Sequence, residues 1–136
     1  MTRMAGSFID TNVLLYLASD DRVKAEIAER LLLEGGITGV QVLNEFVNVA
    51  RRKMLLSWPE IREFLDAFRQ MLAVRDLTMA DHERGLRLAE RHGFSTFDAM
   101  IVGAALEAGC ERLWSEDMRS GMLADGRLLI ANPFAA

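Results

Sequence analysis

Four acidic residues, Asp10, Glu45, Asp98 and Asp117, are placed where carboxylates could do chemistry. Asp10 directly follows the apolar run Ser7-Phe8-Ile9, which reads as a strand. Asp117 follows a second strand candidate, Arg112-Leu113-Trp114, and Asp98 falls in the first turn of an apolar helix. Glu45 lies on a further helix, in a polar sector with Asn44 and Asn48. Ligands of open parallel sheets bind beyond the carboxyl ends of the strands, so acids far apart in sequence could converge there. Four carboxylates without matching cations would repel one another. A hard divalent cation takes oxygen ligands and would neutralise them, which is the composition of a magnesium or manganese site for phosphoryl chemistry.

Each acid also has a purely structural reading. Asp10 can hold Thr11-Asn12 in an Asx turn. Asp98, three residues after Ser95, can complete a capping box. Glu116 and Asp117, after Ser115, can sit in the favourable field of a helix start, and Glu45 can be a solvated helix residue. Spacing alone leaves both readings open. The remaining reactive side chains offer less. Cys110 has no histidine near it in sequence and reads as a core residue, while His82 and His92, ten residues apart on one helix, read as surface residues.

The elements that must position the acids follow from hydrophobic period and punctuation. After the first strand, Val13 to Leu17 suggests a brief helix. Asp20 or Asp21 can cap the next, whose period runs through Val23, Ile27, Leu31 and Glu34, with Glu26, Glu29 and Arg30 on the wet side, until Gly35-Gly36 stops it. Gly36-Ile37-Thr38 suits a strand. Val40 to Lys53 carries an apolar stripe of Val42, Leu43, Phe46, Val49 and Ala50, closed by Arg51, Arg52 and Lys53 at the helix's negative end. Ser57-Trp58-Pro59-Glu60 starts another helix with a capping box and proline in the tolerated first turn. Val74 to Leu77 reads as a strand, Met79 to His92 as a helix ended by Gly93, and the segment from Ser95 to Gly109 as a helix apolar almost all round and therefore buried. Asp125-Gly126 is a turn before a last strand at Leu128-Leu129-Ile130. Helices alternate with short strands, and no hairpin signature links consecutive strands. That pattern predicts an α/β fold with a short, mainly parallel sheet flanked by helices on both faces.

Composition narrows the class. The 136 residues, 51% hydrophobic and 26% charged, fit one domain over 1–136 and exclude a disordered chain. No apolar stretch is long enough to span a bilayer, the opening MTRMAGSFID lacks the apolar core of a leader, and one cysteine gives no internal disulfide, so the expected compartment is the cytoplasm. The formal charge is −4, with no polybasic signal for nucleic acid or membrane. The four acids carry that −4 by themselves, so the rest of the chain is balanced. Arginine outnumbers lysine fourteen to two. Arg51, Arg52 and Arg119 are placed to touch phosphates, although helix-end stabilisation explains Arg51 and Arg52 equally well.

The motifs together resemble the PIN-domain family, specifically the VapC-type toxin ribonucleases of toxin–antitoxin pairs. Phe8-Ile9-Asp10-Thr11-Asn12-Val13-Leu14-Leu15-Tyr16 is similar to that family's opening strand and first acid, Gln41-Val42-Leu43-Asn44-Glu45-Phe46 to the segment of the second, Phe94-Ser95-Thr96-Phe97-Asp98-Ala99-Met100-Ile101 to the third, and Leu113-Trp114-Ser115-Glu116-Asp117-Met118 to the fourth. Asn132-Pro133-Phe134 is similar to the family's usual ending. The resemblance implies a PIN-like three-layer sandwich and an endoribonuclease dependent on Mg2+ or Mn2+, a hydrolase of RNA phosphodiester bonds. Asp10, Glu45, Asp98 and Asp117 would be both catalytic residues and metal ligands, with Asp117 preferred over Glu116 for the fourth place. Thr11, Asn12, Ser95 and Ser115 would orient them or the phosphate by hydrogen bonds. The implied partners are RNA, a cognate antitoxin and a second copy of the chain, with DNA reached only through the antitoxin. Phe46, Trp58, Phe64 and Phe68 would line a groove for an antitoxin helix, their alternative being ordinary core. Two other readings compete: a receiver-like regulatory module, disfavoured because Lys24 and Lys53 both lie on helices rather than at a strand end, and a PIN-like domain that binds RNA or protein without cleaving.

Overall fold

The chain alternates short strands with helices in the order β1 (Ser7–Ile9), α1 (Thr11–Tyr16), α2 (Arg22–Glu34), β2 (Ile37–Gly39), α3 (Val40–Arg52), α4 (Trp58–Met71), β3 (Ala73–Arg75), α5 (Met79–His92), α6 (Thr96–Glu107), β4 (Arg112–Trp114), β5 (Leu123–Ala124) and β6 (Leu128–Ala131). These elements come from a computed structural model that describes residues 6–135; residues 1–5, where a leader would begin, and residue 136 lie outside it. The strands form one sheet in the order β3-β2-β1-β4-β6-β5. All neighbouring pairs are parallel except β5 with β6. From β1 the chain steps outward through β2 to β3, then returns to the other side of β1 as β4. Right-handed crossovers in opposite directions put the connecting helices on opposite faces of the sheet, giving three layers. Helix packing agrees: α1 to α4 contact one another, and α5 packs on α6.

The starts of the helices are set by side chains that satisfy free backbone N–H groups. Asp21 caps α2, and Ser57 and Thr78 form complete capping boxes with Glu60 and Asp81 at the starts of α4 and α5. Phe8, Ile9, Leu113 and Ile130 bring the sheet's side chains into the core, and residues 99–106 of α6 are buried throughout. Helices α5 and α6 approach closely through glycine. A Cβ at Gly103 would stand 3.2 Å from both the Asp81 carbonyl oxygen and the Gly85 nitrogen. That contact fixes α6, and Asp98 with it, against its neighbour.

Several expectations are corrected. In α2 the buried residues are Ala28, Leu31 and Leu32, while Val23 is 70% exposed, so the apolar face is rotated from the one the period suggested. A hairpin does occur: Asp125 and Gly126, both at positive φ, turn the chain from β5 into the antiparallel β6. Two-residue β5 is too short to carry an alternating pattern. His92 is half-buried rather than a surface residue, and its ring meets Phe94 edge-on at 6.1 Å. Phe46 and Phe68 are fully buried, with Phe46 edge-to-face on Phe68 at 4.9 Å and 5.9 Å from Phe64. Their surfaces are spent on the core, so of the four proposed groove residues only partly buried Phe64 and exposed Trp58 reach solvent.

Candidate active site

The strand order reverses between the parallel neighbours β1 and β4, and that switch point opens a crevice beyond their carboxyl ends. Register does the rest. Ile9 pairs with Trp114, so the next residues, Asp10 and Ser115, emerge side by side from adjacent strands. Asp10 is 7% exposed and Ser115 fully buried. Ser115 Oγ donates to Asp10 Oδ2 at 2.8 Å, and Asp10 Oδ1 accepts from the Thr11 backbone N–H at 2.7 Å as the N-cap of α1. The turn reading of Asp10 is borne out and leaves room for the site reading: one oxygen starts the helix and the other faces Ser115 and Asn12.

Asn12 ties the far ends of the chain together. Its amide nitrogen donates to Asp117 Oδ2 (3.2 Å), Ser115 Oγ (3.3 Å) and Asp10 Oδ2 (3.4 Å), while its amide oxygen accepts from the Glu116 backbone N–H at 3.0 Å. Glu45 projects from α3, where Thr11 Oγ1 donates to Oε1 at 3.4 Å. Asp98 enters from the first turn of α6. Ser95 caps that helix by accepting from the Asp98 backbone N–H at 3.2 Å, so it positions the helix and not the carboxylate; only this half of the expected capping box forms. All four acids line one cavity of about 190 Å³, together with Thr11, Asn12 and Phe97.

The electrostatics of this cavity are unbalanced. Burial pushes the Asp10 carboxyl up to about 6; the bonds from Ser115 and Thr11 oppose that, and the charges of Glu45 and Asp98 add to it. Glu45 is also raised, by desolvation first and by the charge of Asp98. The ion pairs among the described residues join Lys24 to Glu116, Arg75 to Asp81, and Arg84 and Arg91 to Glu107 or Asp125. None involves Asp10, Glu45, Asp98 or Asp117. Among the described residues no three His, Cys, Asp or Glu side chains stand together as a group that could hold a metal ion as they are placed. The chemistry of the acids fits a hard divalent cation all the same: they offer carboxylate oxygens, with hydroxyl and amide groups beside them and, among the described residues, no cationic side chain paired to them.

Glu116 faces away from the cavity. It pairs with Lys24 and accepts from Tyr16 Oη at 2.6 Å, and Tyr16 packs edge-on against Phe134 at 4.8 Å. These partners hold Glu116 ionised, with its carboxyl below the usual range against the opposing effect of burial. This cluster steadies the 115–117 loop; sequence reading missed it because Tyr16 and Lys24 lie 100 and 92 residues from Glu116. Of the arginines considered, Arg51 stacks over Trp58 at 4.6 Å and donates to the Leu56 carbonyl, which is a helix-end role. Arg52 is exposed beside it, and exposed Arg119 lies over Phe94 at 4.7 Å, two residues beyond Asp117.

A short, mainly parallel sheet with four carboxylates at its switch point, none ion-paired among the described residues, defines an α/β protein with an acidic crevice. The chain belongs to the PIN domain family, whose model matches residues 7–122. No curated protein matches its sequence significantly. Solved structures share the fold. The VapC20 toxin of Mycobacterium tuberculosis, described as cleaving the sarcin–ricin loop, superposes with a TM-score of 0.64 at 19% identity over 82% of this chain and 89% of its own. A toxin–antitoxin complex from Klebsiella pneumoniae gives 0.73 at 17% identity over 96% and 99%. VapBC2 of Rickettsia felis, bound to a promoter DNA fragment, gives 0.68 at 18% over 93% and 97%. At such identity the likeness is one of fold. No helix among the described residues is long and apolar enough to cross a membrane.

Proposed function

We propose that the protein is a metal-dependent endoribonuclease and the toxin of a toxin–antitoxin pair. The observation that carries this reading is the convergence of Asp10, Glu45, Asp98 and Asp117 on one cavity with no cation paired to any of them among the described residues. PIN membership and the likeness in fold to VapC toxins support RNA as the substrate and an antitoxin as the partner. Asp10, Glu45, Asp98 and Asp117 would hold Mg2+ or Mn2+, directly or through water. Such an ion, when bound, acidifies a water and stabilises negative charge at a phosphodiester. The chain's own part is positional. Ser115 and Thr11 fix the two oxygens of Asp10, Asn12 links Asp117 to Asp10, and exposed Arg119, lying over Phe94, is the cation proposed to meet a flanking phosphate. A second copy of the chain completes the proposed assembly, and exposed Trp58 with the edge of Phe64 remains the proposed antitoxin contact.

Purified protein is expected to cleave RNA with Mg2+ or Mn2+ and to stop when the ion is chelated. Asp10→Asn should lower the rate by at least about a hundredfold, since loss of groups that merely support a metal ligand already costs 10–100-fold. The fold should survive, because asparagine also caps helices well. Cleavage by Asp10→Asn at the wild-type rate would contradict the assignment.

A further inference from the structure

A second cavity, of about 650 Å³, adjoins the acidic one and shares Glu45 and Phe97 with it. Its floor is one face of α3, where Gln41, Asn44 and Asn48 succeed one another at helical spacing. Leu77 and Asp76 close the far side. Phe97 is 70% exposed, one residue before Asp98. A phenyl ring so open adds little to the core, and its backbone carbonyl is engaged by Gln41 Nε2 at 3.4 Å, which links it to the α3 floor. The position therefore presents an aromatic face at the boundary between the two cavities.

We infer that this groove is a nucleobase subsite: the base next to the scissile phosphate stacks on Phe97, and the amides of Asn44 and Asn48 read its edge. The inference rests on the ribonuclease reading and adds to it the place where a base is held, since splayed bases of unpaired RNA are recognised by aromatic stacking and edge hydrogen bonds. Charge bears on which part of the nucleotide enters. Asp76, which lines this groove and is not one of the four acids, repels phosphate but accepts hydrogen bonds from base N–H groups, so the base occupies the groove while the backbone stays at the four-acid cavity, where a bound divalent cation would offset the acids. The shared wall makes the geometry continuous, with one residue supplying the stack and the next a proposed metal ligand.

The test uses the full chain and a single-stranded oligouridylate carrying one 2-aminopurine, which its weakly stacking uridine neighbours leave bright and whose fluorescence falls when the base stacks. Wild-type protein should quench it. Phe97→Ala should weaken binding by about 5-fold or more, the range expected for one base–aromatic stack, and Phe97→Trp should restore it. Asn48→Ala should weaken binding less, and Mn2+ affinity should be unchanged in Phe97→Ala. Equal quenching by wild type and Phe97→Ala would overturn the subsite. So would a Phe97→Ala effect confined to the monomer–dimer equilibrium in sedimentation, which would make the groove a protein contact. If Asp10→Asn still cleaves RNA while the quenching pattern holds, the catalytic reading fails and the base subsite stands.

Discussion

Two buried aspartates in this molecule have opposite surroundings. Asp81, fully buried on α5, receives two hydrogen bonds from Arg75 Nη2 at 2.9 and 3.2 Å and closes a capping box with Thr78. Asp10, 7% exposed, has only neutral donors among the described residues and two further acids close enough to raise its carboxyl. Buried charges are normally paired or bound to metal. Asp81 follows that rule within the chain and serves the fold. Asp10 breaks it, and the violation falls at the switch point of the sheet, where ligands bind. Departures from local consistency collect at functional sites, so the contrast supports the proposed division: Asp81 serves the fold, and Asp10 is the carboxylate proposed to hold a ligand.

The contrast can be broken by substitution. Asp81→Asn should cost about 3 kcal/mol in denaturant unfolding, because it leaves a partly buried guanidinium without its partner, while metal-dependent cleavage persists in the folded protein. A loss of metal dependence with unchanged stability would reverse the two roles. For Asp10 the sign differs. Its folded carboxyl sits near 6 against an ordinary 3.8, so between those values the native state binds more protons than the unfolded one. Metal-free stability from this group is therefore greatest at low pH and is lost as pH rises through about 6. Asp10→Asn removes this dependence. Relative to that variant, the wild type should lose on the order of 2–3 kcal/mol between pH 4 and pH 7; a difference independent of pH would mean that Asp10 is not desolvated. A smaller effect, about 1–2 kcal/mol, is expected for Gly103→Ala, where the new Cβ crowds the α5 backbone. Its residual activity per folded molecule reports how strictly α6 must hold Asp98.

Much of this was legible in the chain itself. Ser7-Phe8-Ile9 ended at an acid because a strand buried on both faces needs an apolar run and its exit does not. The all-apolar face of α6 and the capping box at Ser57 were equally plain, since each is a local pattern with one physical solution. What was hidden depends on pairing across distance. Nothing near Asn12 shows that it will meet Ser115 and Asp117; the β1–β4 register decides that. Nothing near Glu116 shows Lys24 and Tyr16. In α2, apolar residues occur on more than one face, and packing chose Ala28 and Leu32 over Val23. The phenylalanines 46 and 68 had the spacing of either a groove or a core, and mutual contact settled them as core.

The central claim, that the acids around Asp10 are completed by a divalent cation, is tested most directly by calorimetric titration of Mn2+ into metal-free protein. Wild type and Asp81→Asn should bind with similar affinity, and Asp10→Asn should bind at least about tenfold more weakly. Equal Mn2+ affinity in wild type and Asp10→Asn, or no binding to the folded wild type, would contradict the account.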